Sequence, residues 1–441
     1  MRDHSSHIEL TREAAIQALI DMSAFELETE TVGLHDALGR VTAVDYTSLY
    51  DLPNALCSGM DGIAIHYDDF ADGMPDVSTW EYGVDYDWAN TGTAIPEGFD
   101  TSIQIERCEF DGAGKLVAIH GGPDKRGANC SQPGSSMKKG QLVVAARTKL
   151  TPTKISALAM VGYTQVEVVR KPKVVFIPTG DELIEMGAEL PRGKAYETNG
   201  IMLEMKLKVW GAEPVIYPCL PDDWDQIKEA LLKAAEEADI VTINAGSSKG
   251  AKDFTMEILE EIGTVCCHET NHGPGRHTSV SQLNGTPVLG LSGPPSGCEI
   301  TADWYLKPIV DYYLYGKAHE FEKVTATLAE GLPKAGGPGG GPGGPGGPGK
   351  PGGGPGGPQG GPGSGPGGGG PSKGFFAIKP VSLEHTPEGT VAHFCGGPGR
   401  HPNLMALDEA DGYLEMNPRA VGAYDEGSTV DIRLRYPYTA D

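Results

Sequence analysis

The chain has 441 residues, with 35 Lys and Arg against 60 Asp and Glu and a formal charge of −25. That balance excludes a sequence-independent grip on nucleic acid or on an anionic membrane surface. Of its 63 Gly and 34 Pro, 23 and 10 fall between Gly336 and Pro371, so that stretch stands apart and the other ~405 residues read as globular protein, about three domains' worth.

No apolar run reaches the ~18 residues of a membrane span, and Met1 to Leu10 lack a signal-peptide core, so a soluble, cytoplasmic chain is expected. Cysteines 57, 108, 130, 219, 266, 267, 298 and 395 form no CxxC pair, which argues for scattered reduced thiols rather than structural zinc.

In chain order, Thr11 with Glu13 behind it and apolar spacing at Ala14, Ala15, Ala18, Leu19 and Met22 predicts a capped amphipathic helix. A short helix is expected over Leu34 to Ala37, closed by Gly39. From Ala43 to about Ala146, short alternating runs broken by Gly, Pro, Asp and Asn predict β-structure, with Gly62 to His66, Thr101 to Glu106 and Lys115 to Ile119 as examples. Helical character returns at Pro152 to Leu158.

From Val174 a regular alternation begins. Strands are expected at Val174 to Ile177, Glu213 to Tyr217, Ile240 to Asn244 and Val288 to Leu291, and helices at Gly200 to Val209, Trp224 to Glu236, Phe254 to Ile262 and Ser296 to Tyr315. Such alternation implies right-handed crossovers, hence a doubly wound, mostly parallel sheet with helices on both faces. The Gly/Pro stretch has glycine at every third position from Gly337 to Gly352, but Pro355 breaks the register too early for a collagen helix, and a flexible linker is expected. Beyond it, Phe375 to Leu383, Gly389 to Phe394, Tyr413 to Met416 and Thr429 to Arg435 predict a small β-domain.

An open parallel sheet binds ligands at the carboxyl ends of its strands, where loops and helix N-termini converge. Three loops there carry suitable chemistry: Pro178-Thr179-Gly180-Asp181-Glu182, the run Ala245-Gly246-Ser247-Ser248-Lys249-Gly250-Ala251-Lys252-Asp253, and Ser292-Gly293-Pro294-Pro295-Ser296-Gly297. Small residues admit a ligand close to backbone, hydroxyls and lysines suit phosphate, and carboxylates suit a metal or a proton. The plain alternative is that Gly and Ser make tight turns and Asp253 caps a helix. No Walker A pattern and no GxGxxG opening a βαβ unit occurs, so nucleoside triphosphate hydrolysis and dinucleotide binding are not indicated.

Pro178 to Leu183, Tyr196-Glu197-Thr198-Asn199, Pro221-Asp222-Asp223, the loop ending at Asp253, Pro274-Gly275-Arg276 and Gly290 to Pro295 follow one another in the order of the landmarks of molybdopterin molybdenumtransferases. The chain resembles that family, which includes MoeA and the gephyrin E-domain. Upstream, Ser58-Gly59-Met60-Asp61-Gly62, Thr91 to Gly98, Arg126-Gly127-Ala128-Asn129 and Lys149-Leu150-Thr151-Pro152 are similar too.

The resemblance implies an elongated protomer. Residues 1–42 and 147–172 would form a helical linking domain, 43–146 a β-rich domain, 173–318 a MogA-like α/β molybdopterin-binding domain, 336–372 a linker and 373–441 a terminal β-domain. It also implies a homodimer, and hydrolysis of adenylylated molybdopterin with insertion of molybdate or tungstate, assisted by Mg²⁺. By motif, Asp61, Glu182, Asp222 and Asp253 would be catalytic, with Glu182 and Asp222 as metal ligands. Thr91, Thr179, Gly180, Gly246, Ser247, Ser248, Gly250, Arg276, His277 and Pro295 would bind substrate.

The sequence departs from the family in places. Cys130 to Ser136 replace a charged segment, Glu269 and Gly273 replace two lysines, Pro294 replaces an asparagine, and Leu404 to Leu407 replace a serine-rich turn. The sequence therefore leaves two readings open, a metal-inserting enzyme or a paralogue that binds molybdopterin or a maturation partner without turnover. Pro-Gly-Arg-His occurs at Pro274 to His277 and again at Pro398 to His401, and its Arg and His are candidates to restore anion-binding charge.

Overall fold

The structure, a computed structural model, describes residues 8–245, 254–318, 320–332, 374–397, 403–417, 419–420 and 422–435. The Gly/Pro stretch, the segment from Gly246 to Asp253 and the second Pro-Gly-Arg-His copy lie outside the described residues. The chain divides into two compact units, Leu27–Arg170 and Met1–Glu26 with Lys171–Asp441.

In the Leu27–Arg170 unit, the strand Gly62–Ile65 pairs antiparallel with Tyr86–Ala89 on one side and Thr101–Gln104 on the other. Ile63, Ile65, Tyr86, Ile103 and Leu116 fill the core beneath them. Gly62 is required there, because a Cβ would lie 1.9 Å from the Ile103 carbonyl oxygen. A second core forms around Leu150, Leu158, Val166 and Val168. It is covered by the helix Pro152–Met160, whose cap Thr151 accepts the Lys154 N–H, and by Thr29–Gly33 paired antiparallel with Gln165–Val169. The helix expected at Leu34 to Ala37 is a single 3₁₀ turn, Leu34–Asp36.

The larger unit holds a six-stranded sheet. Its order is Glu213–Ile216, Lys173–Ile177, Ile240–Ala245, Thr286–Ser292, Ser279–Leu283, Thr264–Cys267. The first four run parallel and Ser279–Leu283 is antiparallel to both its neighbours. The doubly wound, mostly parallel sheet is therefore present, with a hairpin that the sequence reading did not assign. Ile227, Leu231 and Ala234 of the helix Trp224–Glu237 recur at helical spacing, and they meet Val175, Ile177, Val241 and Ile243 on one face. The helices Asn199–Trp210 and Pro295–Thr301 pack together, the first against Glu213–Ile216 and Lys173–Ile177 and the second against Thr286–Ser292.

Two helices also differ from expectation. The single helix expected over Ser296 to Tyr315 is two α-helices, Pro295–Thr301 and Lys307–Tyr315, joined by a π-turn at Ala302–Leu306. Pro308 has no N–H to return to the preceding turn, so the hydrogen-bond ladder widens before it. The helix Arg12–Met22, grouped by resemblance with residues 147–172, instead buries Ala15, Ile16 and Leu19 in the larger unit, against Ser279–Leu283 and Lys307–Tyr315.

The larger unit ends in a small closed β-barrel. Phe376–Thr386, Gly389–Phe394, Lys323–Leu328, Thr429–Leu434 and Gly412–Met416 pair in succession, and the last pairs back to the first. The strand Lys323–Leu328 falls in residues 319–335, where the sequence predicts no element. Alternating Ala326 and Leu328 point into the barrel core there, so the Gly/Pro stretch interrupts the barrel rather than preceding it. Lys206 donates to Asp303 at 2.8 Å and Tyr413 donates to the other oxygen of Asp303 at 3.1 Å. Arg435 pairs with Glu299, so buried charges tie the barrel to the α/β helices. Among the described residues no helix is long and apolar enough to cross a membrane.

Candidate functional site

The order of the parallel strands reverses between Lys173–Ile177 and Ile240–Ala245. Chains leave such a point in opposite directions and open a crevice at the strand ends. Pro178 to Glu182 leaves the first strand, and Thr179 pairs in parallel with Leu220 from the neighbouring loop. The Gly180 N–H donates to the Leu220 carbonyl at 3.1 Å and the Leu220 N–H to Pro178 at 2.9 Å. Gly180 has φ +144°, and a Cβ there would lie 2.8 Å from the Glu182 carboxylate, so glycine lets that carboxylate fold back over the loop.

The two loops are joined by their acids. The Asp222 N–H donates to the Asp181 carboxylate at 3.2 Å, and Asp222 in turn faces the Asp181 N–H. Lys194 donates to the Asp181 carbonyl at 2.5 Å. Asp223 caps the helix Trp224–Glu237 by accepting the Gln226 N–H at 3.0 Å. Burial first, and then the charges of Glu197, Glu182 and Asp222, push the nearby Cys219 thiol up to about 11. The thiol therefore stays protonated at neutral pH.

Across the crevice, Asn199 at the start of its helix donates to Asn244 at 3.3 Å and to the Gly293 carbonyl at 2.8 Å. Asn244 donates to the Thr179 carbonyl at 3.4 Å. One buried amide pair thus links the ends of three strands. The Asn199 Oδ1 is buried with no partner among the described residues. Glu197 accepts the Gly200 N–H at 3.0 Å. Pro295 opens its helix, with the Ser292 hydroxyl lying against Gly297.

Arg276 and His277 sit beside this edge in a loop held by buried groups. His272 Nδ1 bonds the Pro274 carbonyl at 2.9 Å and its Nε2 bonds the Tyr305 hydroxyl at 2.6 Å. Gly275, at φ +97°, packs where a Cβ would meet Thr301 at 2.3 Å. Arg276 Nε donates to Glu269 at 3.0 Å and His277 lies 3.4 Å from the same carboxylate, while Glu9 stands 3.6 Å from Arg276. Glu269, which stands where the family has a lysine, pairs with the Arg276 guanidinium and lies against the His277 ring, the two groups named as candidates to restore the lost charge.

In the Leu27–Arg170 unit a second cluster gathers the upstream motifs. The Thr91 N–H donates to Asp61 at 2.8 Å, and that bond and the Thr91 hydroxyl hold the Asp61 carboxyl below its usual range. The Gly92 N–H donates to the Ser58 carbonyl at 2.8 Å and the Gly59 N–H to the Asn129 carbonyl at 2.7 Å. Asn129 donates from its side chain to Ser102 at 2.9 Å, and the Ser58 and Ser102 hydroxyls meet at 3.0 Å.

The structure thus brings Asp61 to Thr91, and Thr179 and Gly180 to the Asp222 loop. Gly246, Ser247, Ser248, Gly250 and Asp253 lie outside the described residues. Among the described residues no three His, Cys, Asp or Glu side chains form a metal-binding group. Asp181, Asn199 and Asn244 were not singled out from sequence. The signals were present, since Asp181 and Asn199 lie inside quoted motifs and Asn244 is a polar residue ending an apolar strand.

Comparison with known proteins extends over most of the chain. Residues 8–162 match the model of the MoeA N-terminal region (domain I and II), and residues 175–312 match that of a probable molybdopterin binding domain. A molybdopterin molybdenumtransferase from Bacillus subtilis is 30% identical over 325 residues, 70% of this chain and 76% of that protein. One from Staphylococcus epidermidis is 31% identical over 328 residues, 70% and 77% of the two chains. The crystal structure of a molybdopterin biosynthesis moeA protein from Pyrococcus horikoshii superposes with a TM-score of 0.70 at 26% identity, covering 97% of this chain and 100% of that one.

Proposed function

The chain belongs to the molybdopterin molybdenumtransferase family and is a transferase of molybdenum cofactor biosynthesis, and from that premise we propose that it cleaves adenylylated molybdopterin, releases AMP and inserts molybdate or tungstate at the strand-end crevice. The observation that carries this reading is the convergence of the Thr179, Asp222, Asn199 and Gly293 loops at the point where strand order reverses. A turnover role replaces the binding-only alternative.

A divalent cation such as Mg²⁺ fits the acidic side of the crevice. It needs one or two carboxylates and takes its remaining ligands from water and substrate phosphate, and Asp181, Glu182 and Asp222 offer those carboxylates on two adjoining loops. Bound there, it would neutralise charge on the departing nucleotide. Asp222 and Asp181 fix each other's loops, and the Asn199–Asn244 pair holds the strand ends at a constant width, so the phosphate is met by groups already in place. Arg276, shared with Glu269, supplies directional N–H groups toward an oxyanion rather than a full free charge.

Assembly as a homodimer is supported by the helix Asn199–Trp210. Its inner face buries Leu203, Leu207 and Trp210, while Ile201, Met205 and Val209, one turn apart along the outer face, are 45%, 47% and 43% exposed. An apolar stripe at i, i+4, i+8 on water is the pattern of a helix that packs on a second copy.

The test is incubation of purified protein with adenylylated molybdopterin, Mg²⁺ and either molybdate or tungstate, following AMP release and cofactor formation. Cofactor formation with AMP release is expected, and its absence with both oxyanions would overturn the reading. Sedimentation of the chain and of Met205→Glu tests the dimer.

A further inference from the structure

An aromatic cleft that has no part in the strand-end site lies wholly within the Leu27–Arg170 unit. Its volume is about 480 Å³, and its walls include Trp80, Glu81, Tyr82, Tyr86, Trp88 and Lys115. That size suits a small molecule. Trp80 and Tyr86 are buried, whereas Tyr82 is 60% and Trp88 is 44% exposed. Ring surface therefore remains open to a ligand.

Two closed turns hold those walls. In the first, the Asp85 carboxylate accepts the Glu81 N–H at 2.7 Å, the Asp85 N–H donates to the Glu81 carbonyl at 2.9 Å, and the Gly83 N–H donates to the Tyr86 carbonyl at 2.8 Å. In the second, the Asp111 carboxylate accepts the Ala113 and Lys115 N–H groups at 2.8 and 2.9 Å. The Tyr86 hydroxyl accepts the Leu116 N–H at 3.3 Å, which ties the two walls together. The rings are backed as well, because Tyr82 meets the edge of Tyr86 at 5.8 Å and Trp88 stacks on Phe110 at 5.2 Å. A ligand thus meets rings already in place, with little left to order on binding.

The charge of the cleft selects the sign of its ligand. Residues 81–87 and 111–115 carry Glu81, Asp85, Asp87 and Asp111 against one cation, Lys115. The Lys115 ammonium is directed to the Ser78 carbonyl, at 2.9 Å, and Asp87 hydrogen-bonds the Tyr82 hydroxyl. Faces of Trp and Tyr attract a cation through their quadrupole, and carboxylates beside them add to the attraction. A quaternary ammonium suits such walls, since it has no N–H to place on an acceptor and rings can take the place of its water.

We propose that the cleft of Trp80, Tyr82, Tyr86 and Trp88 binds a small quaternary ammonium compound, with its methyl groups against the exposed Tyr82 and Trp88 rings and its charge balanced by the acids of residues 81–87. Nothing in this site draws on the strand-end crevice, so its ligand is separate from the pterin substrate.

The test is titration of the intact chain into choline, following broadening of the N-methyl proton signal. Saturable binding is expected, with a dissociation constant on the order of millimolar. Neohexyl alcohol, the uncharged carbon isostere of choline, should bind about tenfold less tightly, and so should choline to Tyr82→Leu or Trp88→Leu. Circular dichroism checks that both variants remain folded. Glu81→Gln, which keeps the main-chain bonds of its turn and removes only charge, should also weaken choline and leave neohexyl alcohol unchanged. Failure to saturate, equal binding of the uncharged isostere, or undiminished choline binding by folded Tyr82→Leu or by Glu81→Gln would each overturn the proposal.

Discussion

The two motif clusters are built by different means. At the strand ends of the α/β sheet, loops are fixed by buried side chains. Asn199 and Asn244 tie three strand ends together, and His272 clamps the loop that presents Arg276. In the Leu27–Arg170 unit the upstream motifs are held largely by main chain, through Gly59 to Asn129 and Gly92 to Ser58, and Asp61 is an exposed acceptor of the Thr91 N–H. Where side chains are the scaffold, a substitution disturbs fold and function together. Where main chain is the scaffold, a side chain changes without moving its neighbours.

The largest effect should appear in the acid response of the His272 clamp. Burial lowers its pKa to about 4, opposed by the Pro274 hydrogen bond and aided by the charge of Arg12. The unfolded chain then binds a proton below about pH 6.5 that the native chain refuses, so stability is complete above that pH. It falls as pH drops toward 4 by up to about 1.4 kcal/mol per unit, roughly 3 kcal/mol in all. Denaturant unfolding at stepped pH should show this slope, and His272→Gln should flatten it. An unchanged slope in the variant would remove His272 from the account.

Next in size are the acids of the crevice. Glu182→Gln and Asp222→Asn should each lower AMP release on the order of 10²-fold with melting temperature retained, because each removes a charge from a cation or proton without emptying a core. Wild-type turnover in both would take them out of the mechanism.

A third comparison sets Asn199→Ala against Asp61→Asn. The first removes a buried amide and strands the Asn244 and Gly293 oxygens, so it should cost about 1–3 kcal/mol of stability as well as activity. The second should lower activity and leave thermal unfolding unchanged. Equal stability losses would erase the distinction between the two clusters.

Smallest of all, deletion of Gly337 to Gly370 should shift stability by about 1 kcal/mol or less, since loop closure depends weakly on length. Thermal melts of the intact and shortened chains measure it, and a larger loss would mean that the stretch contributes to the fold.

Much of the architecture was legible in the residues. Apolar residues at helical spacing over Trp224 to Glu236 and a cap at Thr11 were legible, as were the apolar runs at 174, 240 and 288 that became buried parallel strands, whereas the cap at Thr151 came from the structure. The hairpin of Ser279–Leu283 and Thr286–Ser292 was legible but unread. Asn284 and Gly285 both have positive φ, which is what an Asn-Gly turn between alternating apolar residues announces. The barrel strand Lys323–Leu328 was harder, because its ring neighbours lie beyond a long Gly/Pro stretch.

Ordered local motifs identified the family and placed Thr179, Gly180, Glu182 and Asp222 at strand ends, because period, caps and turn residues act over a few positions and are written in the sequence itself. Tertiary structure alone decided which distant groups meet. It gave Asn199 to Gly293 and Asn244, and it set Glu269 against Arg276 and His277. It also brought the charges of Glu182, Glu197 and Asp222 near enough to act on the Cys219 thiol. Hydrogen bonds and ion pairs act over a few ångströms in space, and a chain read in one dimension does not contain those distances.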